Sequence, residues 1–360
     1  MRSPSTRTVE DFSSALFCRG RRGPTPRGAM LVEGLRMAQA FAHDPVMTEE
    51  VVSLFAPVPA GVVVDGTAGA GGHAEAVLSA HGRLGVLALD RDADAVAATA
   101  ATLARFGDRA VVRRARFGGL REVVEAAMAD PSGWPASERA EPSVVGVLLD
   151  LGVSSAQLDR PERGFSYRTT APLDMRMDQA SGRTAGDLVN SASETELAEL
   201  FARNGEGRFA FRIARAIAAA RPIATTDRLA DVVSRAIPAA VRRRGHPARR
   251  VFQALRIAVN EELEELESAL PSALDMVTTG GRVVVIAYHS GEDRIVKAAF
   301  KAATTGGCTC PPGMPCVCGA NPEHELVFRG ARRPSAEEVA RNHRAESARL
   351  RAIERVGSRR

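Results

Sequence analysis

The stretch Val62–His73, V-V-V-D-G-T-A-G-A-G-G-H, decides the fold. Three consecutive β-branched valines suit a buried, pleated strand and resist a helix. The run ends on Asp65, glycines follow at 66, 69, 71 and 72, and a small-residue run from Ala74 to Ala80 opens a helix. Strand, glycine-rich turn and helix N-terminus make a corner where backbone N–H groups approach a ligand closely. Gly69-Ala70-Gly71-Gly72-His73-Ala74 satisfies the loose dinucleotide pattern G-x-G-x-x-G/A. The carboxylate of Asp65, at the junction of strand and glycines, would repel a pyrophosphate. It suits a cationic ligand, and S-adenosylmethionine carries positive sulfonium and ammonium groups. Capping of the turn is the plainer use of an aspartate there.

Outward from this corner the pattern alternates. Leu84–Asp90 (L-G-V-L-A-L-D) predicts a second strand ending on Asp90, followed by an alanine-rich helix over Ala93–Phe106. An acid at that place commonly grips ribose hydroxyls. Val111–Arg116 predicts a third strand, Leu120–Met128 a helix, and Asp130–Pro142 a polar loop. Val144–Leu151 predicts the most hydrophobic strand, with Asp150 at its end. Such alternation calls for a parallel sheet with helices on both faces, whose ligands lie beyond the carboxyl ends of the strands. Asp65, Asp90 and Asp150 all fall at those ends.

After Asp150 the alternation stops. Residues 152–177 read as a loop, and helical patterns follow over Glu194–Arg203, Arg208–Ala220, Arg228–Ile237 and Ala248–Ala269. Glu261–Glu267, E-E-L-E-E-L-E, reads as a solvated helical face. The next strand is Gly281–His289, then a helix over Glu292–Ala303, a short strand over Glu325–Arg329 and a basic, partly helical tail. The expected organisation is a disordered extension over 1–42, an α/β ligand-binding domain from 43–155 and 262–330, a helical insertion for substrate recognition over 156–261, and a tail over 331–360. Met30 or Met37 is an alternative start to the Pro-, Ser- and Arg-rich extension.

With 360 residues, 45% of them hydrophobic, the chain can bury a large core. No apolar run approaches the roughly 18–20 residues that span a bilayer, so no membrane partner is expected. Four of the five cysteines crowd into Cys308–Cys318, which is no secreted disulfide framework and points to the cytoplasm. Their spacing, C-x-C-x5-C-x-C, suits either a structural zinc or a reduced, metal-free loop, and no metal is assigned. Net charge is +5 overall but +9 over residues 204–256, with no acid between Val232 and Asn260. Arg242, Arg243, Arg244, Arg249 and Arg250 concentrate that charge, an electrostatic footprint for a nucleic-acid backbone.

Several motifs resemble one family, the bacterial small-subunit rRNA (cytosine-N4)-methyltransferases, RsmH or MraW. They are H-D-P-V-M-T-E (43–49), D-G-T-A-G-A-G-G-H (65–73), L-D-R-D (89–92), D-L-G-V-S-S-A-Q-L-D-R-P-E-R-G-F-S-Y (150–167) and P-L-D-M-R-M (172–177). R-F-A-F-R-I-A-R-A-I (208–217), H-P-A-R-R-V-F-Q-A-L-R-I-A-V-N-E-E-L (246–263), Y-H-S-G-E-D-R (288–294) and a tail motif over 333–351 extend the match. The resemblance implies an α/β, Rossmann-like, S-adenosylmethionine-dependent methyltransferase with an inserted helical domain. It would methylate the exocyclic N4 of a decoding-region cytidine, with 16S rRNA or the small ribosomal subunit as partner. Carried over by position, the cofactor contacts are Gly71, Gly72, His73, Asp90, Phe117, Asp150 and Gln157. Gly291 departs from the family's usual leucine and would loosen the turn after Tyr288.

A cytosine amino nitrogen is a poor nucleophile, because its lone pair is delocalised into the ring. It must be held in line with the methyl group, and an acceptor bonded to its N–H raises its electron density. Asp150 is the candidate acceptor and Tyr288 the candidate stacking partner of the target base. Two rival readings are an NAD-dependent oxidoreductase, for which no hydride-transfer site is evident, and a non-catalytic ribosome-binding factor, which needs none of the three carboxylates.

Overall fold

The structure, a computed structural model, describes residues 45–130, 143–239, 246–311 and 317–357. The expected leader, the arginine triplet at 242–244 and Cys316 lie outside these residues.

The valine strand forms as β1 (Gly61–Asp65), and the helix behind the glycines is α2 (Gly72–Ala80); α1 (Thr48–Phe55) precedes both. Alternation continues through β2 (Leu84–Asp90), α3 (Ala93–Leu103), β3 (Ala110–Arg114), α4 (Leu120–Ala129) and β4 (Val144–Asp150). These strands, with β5 (Arg282–Ala287), pair in parallel. With β6 (His324–Leu326) and β7 (Arg349–Arg355) the whole sheet runs β3-β2-β1-β4-β5-β7-β6, and its order reverses between β1 and β4. Side chains alternate across a strand, so each strand feeds two cores. Val62 and Val64 meet α4, α11 (Glu262–Met276) and α12 (Ser290–Thr305) on one face; Val63 meets α1, α2 and α3 on the other.

Residues 349–355, expected within a basic tail, instead form β7 (Arg349–Arg355). It pairs antiparallel with β5 and with the short β6 (His324–Leu326). Leu350, Ala352 and Ile353 are buried, while Arg351 is held by Asp293 through a 2.8 Å Nε–Oδ1 contact. A strand with so many arginines is stable there because a carboxylate from α12 meets them.

Between β4 and β5 lies a block of helices, α5 (Ser155–Asp159), α6 (Ala185–Ser191), α7 (Glu194–Arg203), α8 (Ala210–Ala219), α9 (Thr226–Ala236) and α10 (Ala248–Asn260). From Phe165 to Leu255 it buries a core of its own, around Phe201, Ile213, Leu229 and Val251. The expected continuous helix over Ala248–Ala269 is broken at Glu261, whose φ of 53° is left-handed. The break is held by Asn260, which donates to Met175 O and accepts from Met177 N–H at 2.8 Å each. Nor is the glutamate run wholly solvated. Glu262 is buried against Arg256, and Glu265 is buried against Arg91 and Arg116, with which it forms ion pairs.

Candidate active site

The carboxyl ends of β1, β2 and β4 open into a cavity of about 1030 Å³ at the point where the sheet order reverses. Ligands of open α/β sheets bind at such a switch point. The glycine turn forms one wall. Gly69 and Gly71 have φ of 57° and 83°, a region that glycine enters without steric cost. Gly72 has no room for a side chain, since a Cβ there would lie 2.4 Å from Pro45 Cγ. Gly71, expected to touch the cofactor, is not among the wall residues; it faces Thr99 from behind and lets the turn approach α3.

The three strand-end carboxylates cluster here, Asp90 and Asp150 in the cavity wall and Asp65 buried just behind it. Asp65 Oδ1 accepts the Thr67 N–H at 3.1 Å. The two oxygens of Asp90 accept N–H groups of Gly69 and Asp92, each at 2.9 Å, so Asp90 holds the glycine turn in place. Asp150 Oδ1 accepts the Tyr288 hydroxyl at 2.8 Å, and its Oδ2 stands 3.6 Å from His73 Nδ1. Burial pushes Asp65 up to about 7, against a smaller opposing pull from His73. Burial likewise raises Asp90 to about 6 and Asp150 to about 7, the latter in spite of the Tyr288 hydrogen bond. His73 is depressed by burial, and its Nε2–H donates to Val46 O at 2.9 Å, leaving Nδ1 as an acceptor toward Asp150. Among the described residues no arginine or lysine forms an ion pair with any of the three aspartates. Their burial is therefore not offset by a direct arginine or lysine partner.

Phe117, at the start of a short 3₁₀ turn, lines the wall and packs partly onto the sheet core. Gln157 also borders the cavity, but its polar atoms are occupied. Its Oε1 accepts the Ser154 N–H at 3.0 Å, completing a capping box, and its Nε2 donates to Asp92 Oδ2 at 3.0 Å. Tyr288 also lines the cavity. Its hydroxyl is bound to Asp150, its N–H donates to Glu292 Oε2 at 2.7 Å, and its ring lies beside Gly152. Gly291 does not loosen the turn either. It sits in the first turn of α12, where His289 and Glu292 form a capping box.

Several contributors escape the sequence reading. Asp92, the second acid of L-D-R-D, is buried and accepts from both Gln157 and Arg163, the latter at 2.9 Å, while also capping α3. It fastens the loop after β4 to the helix after β2. Arg256 donates to both oxygens of Glu262 at 2.8 and 2.7 Å beneath the cavity. Tyr167 and Phe252 make an aromatic edge, and Tyr167 also stacks on His246 with ring centroids 4.4 Å apart. Residues 342–344 close the rim from the C-terminal side, where Arg344 pairs with Asp159 at 2.6 Å. All of them lie within the motifs given above, which was the available signal.

A nucleoside that carries its own positive charge would supply what these aspartates lack. With the strand order and the antiparallel β7, this places the protein among the Rossmann-like, S-adenosylmethionine-dependent methyltransferases. More narrowly, the chain belongs to the MraW methylase family, whose model matches residues 40–356. It is 47% identical over 322 residues to the Ribosomal RNA small subunit methyltransferase H of Heliobacterium modesticaldum, covering 88% of this chain and 99% of that one. The protein of the same name from Thermobifida fusca is 47% identical over 342 residues, covering 93% and 98%. Among solved structures, an rRNA methylase from Streptococcus thermophilus is similar at 10% identity and a TM-score of 0.37, covering 86% of this chain and 93% of that one. No described helix is long and apolar enough to cross a membrane.

Proposed function

We propose that the protein transfers the methyl group of S-adenosylmethionine to the exocyclic N4 of a cytidine in the decoding region of 16S rRNA, in the cytoplasm. The observation that carries this reading is Asp150. It stands at the switch point, fixed by Tyr288 and facing His73, with a proton affinity set near neutrality.

The cofactor supplies an already activated methyl group, so no metal is required for the transfer. The backbone of Gly72 and His73 forms its cradle, with the Asp65 carboxyl buried behind it, Asp90 meets the ribose hydroxyls, and Phe117 packs on the adenine. Gly71 and Gln157 act from behind, by holding the turn and the loop in register. Asp150 accepts a hydrogen bond from the target amino group and draws its N–H density toward nitrogen as the new bond forms. Tyr288 positions Asp150 and does not stack on the base. The edge made by Tyr167 and Phe252 takes the target base, which must leave its stack to reach the cavity.

The helical block 156–261 serves substrate recognition. Arg249 lines both the main cavity and an adjoining recess of about 310 Å³, where Arg333, Arg349 and Ser347 also stand. Those cations suit the phosphates on either side of an extruded nucleotide. Arg250 is partly spoken for by Glu206 at 3.4 Å.

The test is methyl transfer onto naked 16S rRNA and onto purified small subunits, with the modified nucleoside identified by mass spectrometry. N4-methylcytidine in either substrate supports the reading. Calorimetric titration separates the rivals. Binding of NAD in place of S-adenosylmethionine would favour an oxidoreductase, and RNA binding without either cofactor a non-catalytic factor.

A further inference from the structure

We propose that Cys308, Cys310 and Cys318 form a zinc–thiolate site that fastens the connection between α12 and β6. None of the three lines the catalytic cavity or its adjoining recess, so the site is separate from methyl transfer.

The backbone brings these residues together. Helix α12 ends at Thr305, and Gly306 and Gly307 follow with φ of 57° and 71°, which reverses the chain. A Cβ on Gly306 would lie 2.7 Å from the carbonyl carbon of Asn321, so the outgoing and returning legs meet there without space for a side chain. Gly319, with φ of 73°, turns the chain again just after Cys318. The two legs thus carry one cysteine pair and a third cysteine to the same point.

The sulfurs have the spacing of metal ligands. All three Sγ atoms lie within 4.8 Å of one another, and Cys308 Sγ is 3.6 Å from Cys318 Sγ. Tetrahedral zinc with Zn–S bonds of about 2.3 Å requires ligand sulfurs about 3.8 Å apart. A disulfide would need about 2.05 Å. In addition, the Val317 N–H donates to Cys310 Sγ at 3.4 Å. An N–H aimed at sulfur favours the thiolate over the thiol, and it is the thiolate that binds metal. An all-sulfur donor set selects zinc over magnesium, calcium or manganese, which take oxygen ligands. On binding, each thiol releases its proton to solvent and forms one Zn–S bond; no electron is transferred. The assignment rests on these three thiols.

Such a site would have a structural task. The segment from 306 to 323 links the helix whose N-terminus carries His289 and Glu292 to the β6–β7 pair at the sheet edge. None of its described residues is fully buried: Cys318 is exposed, and Cys308 and Cys310 are only partly buried. A metal replaces the missing apolar contacts, as in small domains that fold around zinc.

The experiment uses the full chain, purified in reductant without chelator. Zinc is counted after desalting, and the chelator-treated protein is titrated with cobalt(II). One zinc per chain is expected, with a sulfur-to-cobalt charge-transfer band and the intense visible bands of tetrahedral cobalt. The Cys308→Ser, Cys318→Ser double variant should lose that band and retain about tenfold less zinc or worse. Because this variant is open to misfolding, alkylation of the folded parent gives a second readout. Cys308, Cys310 and Cys318 should be protected with zinc and become labelled after chelation, as read by peptide mass spectrometry. The proposal is overturned by any of three results: no zinc and no charge-transfer band in the parent, a double variant that binds cobalt like the parent, or a Cys308–Cys318 disulfide in a glutathione buffer of cytosolic poise.

Discussion

Replacing Asp65 by Asn should stabilise the cofactor-free protein at alkaline pH while weakening cofactor binding. Asp65 is buried, accepts one hydrogen bond from Thr67 N–H, and has its carboxyl raised from 3.8 to about 7 by burial. In the unfolded chain it ionises near 3.8; in the fold it keeps its proton until about 7. Between those values the folded state binds more protons than the unfolded one, so stability falls as pH rises. A shift of about three units sets an upper bound of ~4 kcal/mol on that loss. Water admission and coupling to Asp90 and Asp150 reduce it, and roughly 1–3 kcal/mol is expected. Asn keeps the oxygen that accepts from Thr67 and carries no charge at any pH. Any cost of its amide group is the same at pH 5 and pH 8, so the difference between the two isolates the charge. Thermal melts without cofactor should show the variant gaining roughly 1–4 °C on the parent at pH 8 relative to pH 5. Added S-adenosylmethionine should reverse the advantage, because its cation compensates a carboxylate that the variant lacks. An equal effect of the substitution at both pH values would refute the reasoning, for it would mean that Asp65 is already ionised in the empty fold.

Three further outcomes follow from the same geometry. Methyl transfer by the parent should rise with pH through about 7, as Asp150 ionises. Asp150→Asn should cost about 10²–10⁴ in kcat, and Tyr288→Phe should move the profile to higher pH, because the lost hydroxyl had been lowering the Asp150 pKa. A profile unmoved in Tyr288→Phe would remove the tyrosine from this role. Asp92→Ala leaves the buried Arg163 only the longer 3.7 Å carboxylate contact with Asp94 and should destabilise the fold by about 2–4 kcal/mol, read by denaturant melts; a loss below about 1 kcal/mol would mean the loop is held elsewhere. Arg249→Ala should weaken RNA binding and flatten its log–log salt slope by roughly 0.7–0.9 while cofactor affinity stays constant. An unchanged slope would place the phosphate contact on other residues, with Arg333 the next to test.

The local patterns were sufficient for the framework. Val62–Val64, Leu84–Asp90 and Val144–Asp150 form strands because continuous apolar runs of that length suit a sheet buried on both faces. Glycines at 69 and 71 occur where only a residue without Cβ enters the left-handed region cheaply. Asp65, Asp90 and Asp150 could be placed at one edge of the sheet because parallel strands all end on the same side. The motifs named the family, because they constrain chemistry that many positions share.

What the sequence left undetermined depended on partners distant along the chain. The R-L-R-A-I-E-R of β7 reads equally as helix or strand, and it is a strand only because β5 and β6 offer their edges and Asp293 meets its arginines. Glu262 and Glu265 belong to a run with the composition of a solvated face, yet Arg256, Arg91 and Arg116 bury them in ion pairs. Gln157 and Tyr288 were legible as site residues but not in their roles, since the hydrogen bonds that hold them come from Asp92 at the N-cap of α3 and Asp150 at the end of β4. Residue type and spacing thus determined the strands, the glycine corner and which acids face it. The tertiary structure alone decided the ionisation of those acids and which polar groups remain available to a ligand, because burial and charge pairing are properties of the assembled site.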